Sequence, residues 1–550
     1  MVMKAMDFGD VFIDWIKMLH ESNSTQFILG TLSNPIDILF SVRQGDPIAM
    51  VLYLLFVEPL LIQFRLKLSG MFVGGISCKT ECYVDDTNIF TTKDEDFLIA
   101  EELFCKFGSC SGAIVNRNVK SIVLGLGGWK GRTSWPLDYL KVVECSKIFG
   151  FYFCPTFKET LNMTWDIVVD KLRKVLFSWV SRALSSFIQR IQIIHTFATA
   201  KLWYVGHVLP LPNKYLKQIE SLLGNFIWTG QLERLKLDEV KNMPNQGGLG
   251  LICVASKCVA LRMKHLCRIL ALPEKDPYFL HIKYWLGQTL RTALPELRTG
   301  LHPERIPSYF RILQEDFVNV IWGQFSPSEF DLVKSKLIYL SIADSFPTPK
   351  VEYKLDLSHS VGPSWPVLWS RLHHKVLSFD VKHTMFLVAH NILPTNERLN
   401  KIGMSDHPWC ESETIYLPLS GPLREWEVKQ GRRDMVLAVG GEIQNPTHLL
   451  CDCLKVREYW CWLRTRVLRL LPTNAQCLSN FEILMLMFPP SKHEASLVWL
   501  ISNYVHLVWT ELCRKEKSFT LAFVVGCLKQ KYLLHCQGRN VQLSHINFDC

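Results

Sequence analysis

Two adjacent aspartates, Asp85 and Asp86, carry the strongest chemical signal in this chain of 550 residues. They follow Tyr83 and Val84 between two strand-like runs, which predicts a hairpin with the carboxylates at its tip. Two neighbouring carboxylates at a tight turn can reach one Mg²⁺, because this ion prefers hard oxygen ligands. Taken alone, an aspartate pair in a turn is more often a solvated turn, so the spacing by itself leaves both interpretations open.

A second group of residues has the donor chemistry of a zinc site. His407 and Cys410 are separated by two residues, and His448 and Cys453 by four. Two such pairs supply the nitrogen and sulfur donors that tetrahedral Zn²⁺ takes. Residues 411–447 are a long insertion between the pairs, although loop-closure entropy grows slowly with length. A structural Zn²⁺ and a degenerated site that binds no metal therefore both stay open.

Upstream of the aspartates, a polar turn precedes a long apolar run, residues 48–68, which predicts a largely buried helix. The turn reads Ser41-Val42-Arg43-Gln44-Gly45-Asp46-Pro47. Gly45 permits close approach of the backbone to a ligand, and Arg43 can pair with phosphate. This order of motifs resembles the reverse transcriptases of LINE-type non-LTR retrotransposons. The resemblance implies that Arg43, Gln44 and Gly45 hold template and incoming nucleotide. It also implies that Asp85 and Asp86 are catalytic and bind Mg²⁺.

Further segments keep the order of that family. Lys120 follows Asn116 and resembles the lysine that approaches the incoming triphosphate. Residues 147–151, KIFGF, resemble the turn that grips the primer. Later segments resemble the helical region beyond the polymerase; they are residues 201–204, 226–228 and 247–251. The resemblance spans most of residues 8–275 and implies an enzyme that copies RNA into DNA, with a template, a primer and dNTPs as partners.

The group at His407, Cys410, His448 and Cys453 also resembles a family feature. It is similar to the zinc-binding segment common near the end of these retrotransposon polyproteins. His407 stands where a cysteine is usual in that segment. The resemblance thus favours zinc as the metal without removing the alternative of a degenerated site.

One element of the family's chemistry has no match in the sequence. Two-metal nucleotidyl transfer needs a further carboxylate on a separate palm strand, because the metals clamp the attacking and leaving oxygens together. In the family, this aspartate lies upstream of a particular helix, and the matching helix of this chain begins near residue 8. Asp7, Asp10 and Asp14 lie on or beside this helix and have no strand around them. We therefore expect the chain to be inactive alone.

Basic and aromatic residues recur beyond the palm-like part. The basic groups are Lys171, Arg173, Lys174, Arg182, Arg190, Lys201, Lys214, Lys217, Arg234 and Lys236. Charge pattern alone favours a solvated helix face, and the alternative is a surface that contacts nucleic-acid phosphates. Four tryptophans, Trp460, Trp462, Trp499 and Trp509, recur at helical spacing with apolar residues, so we expect them in the core rather than stacked on bases.

Composition restricts the class of protein. Apolar residues make up 48% of the chain and charged residues 20%, which excludes a largely disordered protein. A net charge of +10 suits a polyanionic partner. The longest apolar stretch, residues 48–57, is shorter than the ~20 residues of a membrane span, and the N-terminus is too acidic for a targeting signal. We expect no membrane partner, a cytoplasmic or nuclear location, and reduced cysteines.

Pattern changes along the chain predict an α+β fold in four parts. Residues 1–155 mix helices with short strands and read as a partial reverse-transcriptase palm and fingers. Residues 156–275 are a mostly α-helical thumb-like region, and residues 276–363 are a connector. Residues 364–550 are a helical C-terminal domain with a zinc-knuckle-like segment at 405–455.

These observations predict a truncated, retrotransposon-derived RNA-directed DNA polymerase domain. Whether it is an enzyme stays open, because the aspartate hairpin is present and the upstream carboxylate is not. Two alternatives remain: a nucleic-acid-binding protein derived from a retrotransposon, and a genomic relic without a selected role. Mg²⁺ would be needed for any activity, and Zn²⁺ would be structural.

Overall fold

The chain divides into two compact units, both discontinuous in sequence. The first comprises Met1–Asp166, His207–Pro210 and Val259–Ile338, and the second comprises Ile167–Gly206, Leu211–Cys258 and Tyr339–Cys550. The computed structural model describes residues 2–21, 24–37, 46–73, 76–83, 86–117, 121–182, 184, 186–229, 235–293, 306–343, 365–413, 415–418, 436–472, 477–514, 520–538, 543 and 546–548.

The described strands are short and associate in pairs. They are β1 (Ser24–Thr25), β2 (Ile28–Leu29), β3 (Thr31–Leu32), β4 (Ile36–Asp37), β5 (Met71–Val73), β6 (Ile76–Cys78), β7 (Thr80–Tyr83), β8 (Asp86–Ile89), β9 (Ile122–Leu124), β10 (Lys141–Val143), β11 (Ser146–Ile148), β12 (Phe151–Phe153), β13 (Ile415–Pro418) and β14 (Val436–Gly440). The antiparallel pairs are β1 with β4, β2 with β3, β5 with β6, β7 with β8, β11 with β12, and β13 with β14. Strands β9 and β10 are parallel.

Helices make up most of the described chain. They are α1 (Val2–Ala5), α2 (Asp10–His20), α3 (Ala49–Lys67), α4 (Glu95–Ser111), α5 (Phe157–Val180), α6 (Phe187–Ile193), α7 (Ala200–Val208), α8 (Asn213–Trp228), α9 (Leu237–Lys241), α10 (Val254–Leu270), α11 (Pro277–Ala293), α12 (Ser308–Val320), α13 (Ser335–Ala343), α14 (Trp365–Leu372), α15 (Phe379–Ala389), α16 (Asn396–Lys401), α17 (Arg457–Leu470), α18 (Asn480–Leu484), α19 (Glu494–Cys513) and α20 (Leu521–Gly538). Short turns of 3₁₀ or π-helix occupy Gly127–Trp129, Ile194–Ala198, Pro244–Gln246, Pro327–Glu329 and His448–Asp452.

In the first unit, a core forms where α3 contacts α4 and β7. Phe64 of α3 and Leu103 of α4 are both buried there. A carboxylate reinforces the junction: Asp96 accepts hydrogen bonds from the backbone N–H groups of Ser69 (2.9 Å) and Gly70 (3.2 Å). Burial acts to raise the pKa of Asp96, but these hydrogen bonds lower it below its ordinary value. The carboxylate therefore stays ionised and ties the end of α3 to the start of α4.

The second unit has a larger helical core. Helix α19 lies at its centre and contacts α15, α17, α18 and α20. Trp460, Trp462 and Trp499 are buried in this core, as predicted, whereas Trp509 near the end of α19 is only half-buried. A mostly helical chain with few short strands is consistent with the predicted α+β class. The palm and thumb assignments and the four-part division remain predictions.

Among the described helices, α3 is long and apolar enough to cross a membrane by length and composition. It also contains Pro59, and Glu58 forms an ion pair with Arg65 at 2.8 Å on its surface. A core helix of a soluble protein passes the same test, so one such helix is weak evidence for a membrane span. The expectation of no membrane partner stays a prediction.

Candidate metal and nucleic-acid sites

The predicted aspartate hairpin is present as the pair β7 and β8. Tyr83 lies opposite Asp86 in the antiparallel register, so Val84 and Asp85 connect the two strands in sequence. Asp86 is exposed at the first position of β8, where its carboxylate is accessible to a cation. Asp85 lies outside the described residues, so the pairing of the two carboxylates on one Mg²⁺ remains a prediction.

A second hairpin, β11 and β12, carries the segment that resembles a primer-gripping turn. Its connection is Phe149 and Gly150, with φ angles of 49° and 87°, which are the two positive values of a type I′ turn. A positive φ is uncommon for a bulky residue and holds the Phe149 ring at the hairpin tip. That ring lies edge-on to the ring of Tyr83, with centroids 6.0 Å apart. Two motif-bearing hairpins distant in sequence therefore meet in the first unit.

The base of the second hairpin carries a disulfide. Cys145 and Cys154 flank the outermost strand pair, Ser146 with Phe153, and their sulfurs are bonded. The expectation that the cysteines are reduced is therefore wrong for this pair. Cross-strand neighbours have their Cβ atoms close together, which is why a hairpin can bring two cysteines into bonding range.

The predicted nucleotide-binding residues are not among those described. Arg43, Gln44, Gly45 and Lys120 all lie outside the described residues, and their roles remain predictions. Asp46, which follows the turn, is described: its carboxylate accepts a hydrogen bond from the backbone N–H of Ile48 at 3.0 Å. This bond favours the start of α3 directly after the turn, as the sequence predicts.

Three of the four predicted zinc ligands come together in the second unit. One donor atom each from Cys410, His448 and Cys453 lies within 4.8 Å of the others, and all three residues are buried. The two sulfurs are 3.6 Å apart. Two thiolates at ~2.3 Å from a tetrahedral Zn²⁺ lie roughly 3.8 Å apart, so their separation fits a zinc ion between them.

His407 is not part of this cluster. Its ring stacks on Trp409 with centroids 5.6 Å apart. The residues that adjoin the cluster are Ser412 and Glu413, which were not among the residues predicted from the sequence. Ser412 Oγ lies 3.0 Å from Cys410 Sγ and 3.3 Å from Cys453 Sγ. A sequence signal for them is their position two and three residues after Cys410, because residues that follow a metal ligand closely in the chain also lie near the metal in space.

The long insertion between the two donor pairs is closed by backbone pairing at its base. Trp409 and Ile443 form an antiparallel bridge. Cys410 N–H donates to the carbonyl of Glu442 at 2.8 Å, and within the insertion β13 pairs with β14. At the far end, Cys453 N–H donates to the carbonyl of His448 at 2.7 Å. The insertion therefore does not separate the donors.

The electrostatics of the cluster favour a thiolate. The hydrogen bond between Cys410 and Cys453 lowers the pKa of the Cys410 thiol, and the same bond together with burial raises the pKa of Cys453. The two sulfurs thus share one proton in a hydrogen bond in which either can be the donor. A divalent metal replaces that shared proton, since both thiols bind as thiolates.

The exposed face of α5 carries cations and an aromatic ring. Arg173 and Lys174 both approach Asp170, at 3.6 and 2.7 Å, so their charge is partly offset. Lys171 is exposed beside them. Phe177, one turn further along, has a side chain that is 78% exposed. Basic groups beside an exposed ring can contact phosphates and stack on a base, so a nucleic-acid contact and a solvated helix face both stay open here.

Not every basic residue of the predicted surface is free to bind phosphate. Arg190 donates to the backbone carbonyls of Ile227 (2.6 Å) and Leu184 (2.9 Å). Lys241, shortly after the last of the predicted basic residues, is 7% exposed and binds Glu220 at 2.7 Å. These two residues stabilise the second unit. Lys201, Lys214, Lys217 and Lys236 are exposed like the cations of α5, and Arg234 lies outside the described residues. The face of α5 with Arg182 is the part of the candidate surface that also carries aromatic rings.

Arg182 adds an aromatic contact just beyond the end of α5. Its guanidinium carbon lies 4.2 Å from the centroid of the Trp179 ring, and Trp179 stacks on Phe197 at 5.1 Å. Arg182 itself is exposed. A guanidinium held on an aromatic face keeps its donors directed along its own plane, where a phosphate can accept them.

Comparison with known proteins connects the chain to a transposon. No protein-family profile matches it. Over 285 residues the chain is 23% identical to the transposon TX1 uncharacterized 149 kDa protein of Xenopus laevis. The matched region covers 49% of this chain and 21% of that protein, so the chain spans about a fifth of the length of the relative it matches. The chain is thus a distant relative of a transposon protein, which supports a transposon origin.

Proposed function

We propose that the chain is a retrotransposon-derived reverse-transcriptase domain protein that binds nucleic acid and does not polymerise DNA by itself. The observation that carries this proposal is the contact between Tyr83 and Phe149, at 6.0 Å. By resemblance, the hairpin of Tyr83 carries the catalytic aspartates and the hairpin of Phe149 grips the primer. A polymerase needs these two functions at one place, because the primer end must reach the metals. The distant similarity to a transposon protein supports the same origin.

The absence of activity is proposed from the carboxylates. No segment of the 550 residues matches the family's upstream aspartate strand. The nearest acidic residues, Asp10 and Asp14, lie on helix α2, and Asp14 forms an ion pair with Lys17 at 2.8 Å. A hairpin with two aspartates lacks the third carboxylate that bridges two metals, so this chain binds without catalysing transfer.

The α5 surface supplies the binding function. Lys171, Arg173, Lys174 and Arg182 are exposed. Each phosphate contact releases counterions, which makes such binding strongly dependent on salt. Phe177 adds a ring on which an unpaired base can stack. We therefore propose RNA or DNA with phosphates accessible to this face as the ligand.

The Cys/His cluster supplies a candidate structural metal site. The chemistry of its donors, two sulfurs and one imidazole, and the 3.6 Å between the sulfurs fit Zn²⁺. Cys410, His448 and Cys453 would hold the ion, and a fourth donor would complete the tetrahedron. Bound zinc would supply folding free energy to residues 405–455, since binding and local folding are coupled.

A primer-extension assay with the purified full chain tests the proposal. A labelled primer on RNA or DNA templates is incubated with dNTPs and Mg²⁺ or Mn²⁺, and the same duplexes are used in gel-shift assays at low salt. We expect retarded complexes and no extended primer. Templated extension that disappears in Asp85→Ala would overturn the proposed inactivity. Failure to retard any nucleic acid at low salt would overturn the proposed binding.

A further inference from the structure

We propose that Glu413 is a positioning residue for the metal site, which accepts a hydrogen bond from Nε2 of His448 and so leaves Nδ1 of the same ring for the metal. This inference rests on the proposed zinc site of Cys410, His448 and Cys453. A carboxylate in that place is expected to fix the tautomer and the ring angle of the histidine and to raise its basicity as a ligand.

The geometry brings the two side chains together inside the second unit. Glu413 Oε2 lies 3.5 Å from His448 Nε2, and the side chains are only 14% and 9% exposed. The other carboxylate oxygen, Oε1, accepts a hydrogen bond from the backbone N–H of Leu454 at 2.9 Å. Leu454 directly follows Cys453, so the backbone that carries one metal ligand also holds the carboxylate that faces another.

The ring nitrogen that faces Glu413 needs an acceptor when a metal binds. Within the described residues, His448 Nε2 is buried and makes no hydrogen bond at conventional distance. A neutral imidazole carries one N–H and one lone pair. If the lone pair of Nδ1 goes to the metal, the hydrogen must sit on Nε2, where the anchored carboxylate of Glu413 can accept it. A displacement of about half an ångström closes the 3.5 Å gap to an ordinary hydrogen bond.

The chain after Cys410 therefore covers the cluster with two consecutive side chains. Ser412 places its hydroxyl near the two sulfurs, at 3.0 and 3.3 Å, and Glu413 places its carboxylate near the imidazole.

Glu411, in the same short segment, is exposed and makes no ion pair among the described residues. It serves as a matched control, because its substitution changes the same charge at nearly the same place.

A cobalt titration tests the assignment without any activity assay. The reduced full chain, freed of metal, is titrated with Co²⁺ and followed by its sulfur-to-cobalt charge-transfer and d–d bands. We expect Glu413→Gln to weaken Co²⁺ binding 10- to 100-fold, the range found for outer partners of metal-bound histidines. Glu411→Gln should bind like the wild type, and Glu413→Asp should fall between the two. The d–d bands of Glu413→Gln should keep their positions, because the ligands themselves are unchanged.

The outcomes distinguish a failure of the proposed zinc site from a failure of the proposed role of Glu413. A wild-type chain that shows no charge-transfer band would overturn the zinc site on which this inference rests. Equal affinities for Glu413→Gln and Glu411→Gln in a wild type that does bind Co²⁺ would overturn the role of Glu413 alone. Shifted d–d bands in Glu413→Gln would show that Glu413 binds the metal directly, which also contradicts a positioning role. Circular dichroism of each metal-free variant checks the fold, and Glu413→Asp supplies the comparison if Glu413→Gln is unfolded.

Discussion

Two apolar helices of nearly equal length show how differently the two units use similar sequences. Helix α3, in the first unit, has 19 residues, and α19, in the second, has 20. In α19, five consecutive side chains from Leu497 to Ile501 are at most 2% exposed. In α3, Val51 and Leu54 are more than half exposed, and Leu66 is 71% exposed. The sequences alone do not predict this contrast.

The difference lies in the neighbours rather than in the helices. A helix that is apolar all round is stable only when other elements cover every side. Helix α19 has four helical neighbours, α15, α17, α18 and α20. In the described part of the first unit, α3 packs against α1, α4 and β7, and one side remains open. The exposed side of α3 means that the described part of the first unit covers its apolar side chains less completely than the second unit does.

The candidate sites follow the same division. In the first unit, the described part of the polymerase-like site is Asp86 and the contact between Tyr83 and Phe149. In the second unit, Cys410, His448 and Cys453 are buried and already close to one another. A preformed set of donors costs little reorganisation when an ion binds, so we expect the cluster of the second unit to bind its metal tightly.

The largest expected effect is loss of the metal. The wild type should purify with about one zinc per chain, and Cys453→Ser should lose it, because a serine hydroxyl is a poor substitute for a thiolate. Cys461→Ser is the control, since Cys461 is exposed and lies outside the cluster. Elemental analysis of protein from zinc-supplemented medium measures both. A wild type that purifies without zinc would contradict the proposed metal site of the second unit.

Next in size is the cost of truncating a core leucine. Leu500→Ala in α19 should lower the free energy of unfolding by ~2–5 kcal/mol, because Leu500 is 0% exposed and its removal leaves a cavity. Leu54→Ala in α3 should change it by less than ~0.5 kcal/mol, as Leu54 is 54% exposed. Urea denaturation of both variants makes the comparison. Equal losses would mean that α3 is covered in solution and would break the contrast between the helices.

A smaller effect is expected from pH, through His390 of the second unit. Its Nε2 lies 2.7 Å from the carbonyl oxygen of Gly247, and its ring stacks on Trp369 at 4.9 Å. Burial lowers the pKa of His390 to about 4, whereas an unfolded histidine has a pKa near 6.5. Between those values protons bind the unfolded state and not the folded one. Stability from this group is therefore present above pH 6.5 and is lost as the pH falls toward 4, by up to ~1.4 kcal/mol per pH unit.

The test of the pH effect is urea denaturation at pH 7 and pH 5. His390→Gln can still donate to Gly247 but does not titrate, so its free energy of unfolding should fall less between the two pH values than that of the wild type. An identical fall in both proteins would show that other groups carry the acid sensitivity of the second unit.

The smallest effect on stability is expected at the α5 surface. Changing Lys171, Arg173, Lys174 and Arg182 to glutamine should leave the free energy of unfolding within ~0.5 kcal/mol, since exposed charges contribute little. The same change should reduce the slope of log affinity against log salt by roughly 0.7–0.9 for each phosphate that the variant no longer neutralises. Binding of a labelled RNA at several salt concentrations measures the slope.

A matched control for this surface lies in the first unit. Lys334 and Lys336 are exposed and can be changed to glutamine together. This pair should not alter the salt slope if the second unit binds the phosphates. A slope that is unchanged in the fourfold variant, or equally reduced by the control, would place the nucleic-acid interface elsewhere.

Local features were largely predictable from the sequence. The predicted hairpin around Asp86 agrees with β7 and β8, and three of the four predicted core tryptophans are buried around α19. The helix predicted over residues 48–68 is present as α3, but the prediction that it is largely buried is wrong, since Val51, Leu54 and Leu66 are more than half exposed. Apolar periodicity and turn residues act over a few residues, and this is why they can be read directly from the sequence. The Cys145 to Cys154 disulfide was missed, because reasoning from the expected compartment said nothing about which thiols are cross-strand neighbours.

The sequence by itself determined which chemically active residues the chain carries and in what order: paired aspartates, basic residues recurring from Lys171 to Lys236, and two histidine and cysteine pairs. Only the tertiary structure decided which of them meet. The bridge between Trp409 and Ile443 closes the long insertion and brings Cys410 to His448 and Cys453, whereas His407 stays outside. The physical reason is that such contacts depend on backbone hydrogen bonds between residues far apart in sequence, which local periodicity does not encode.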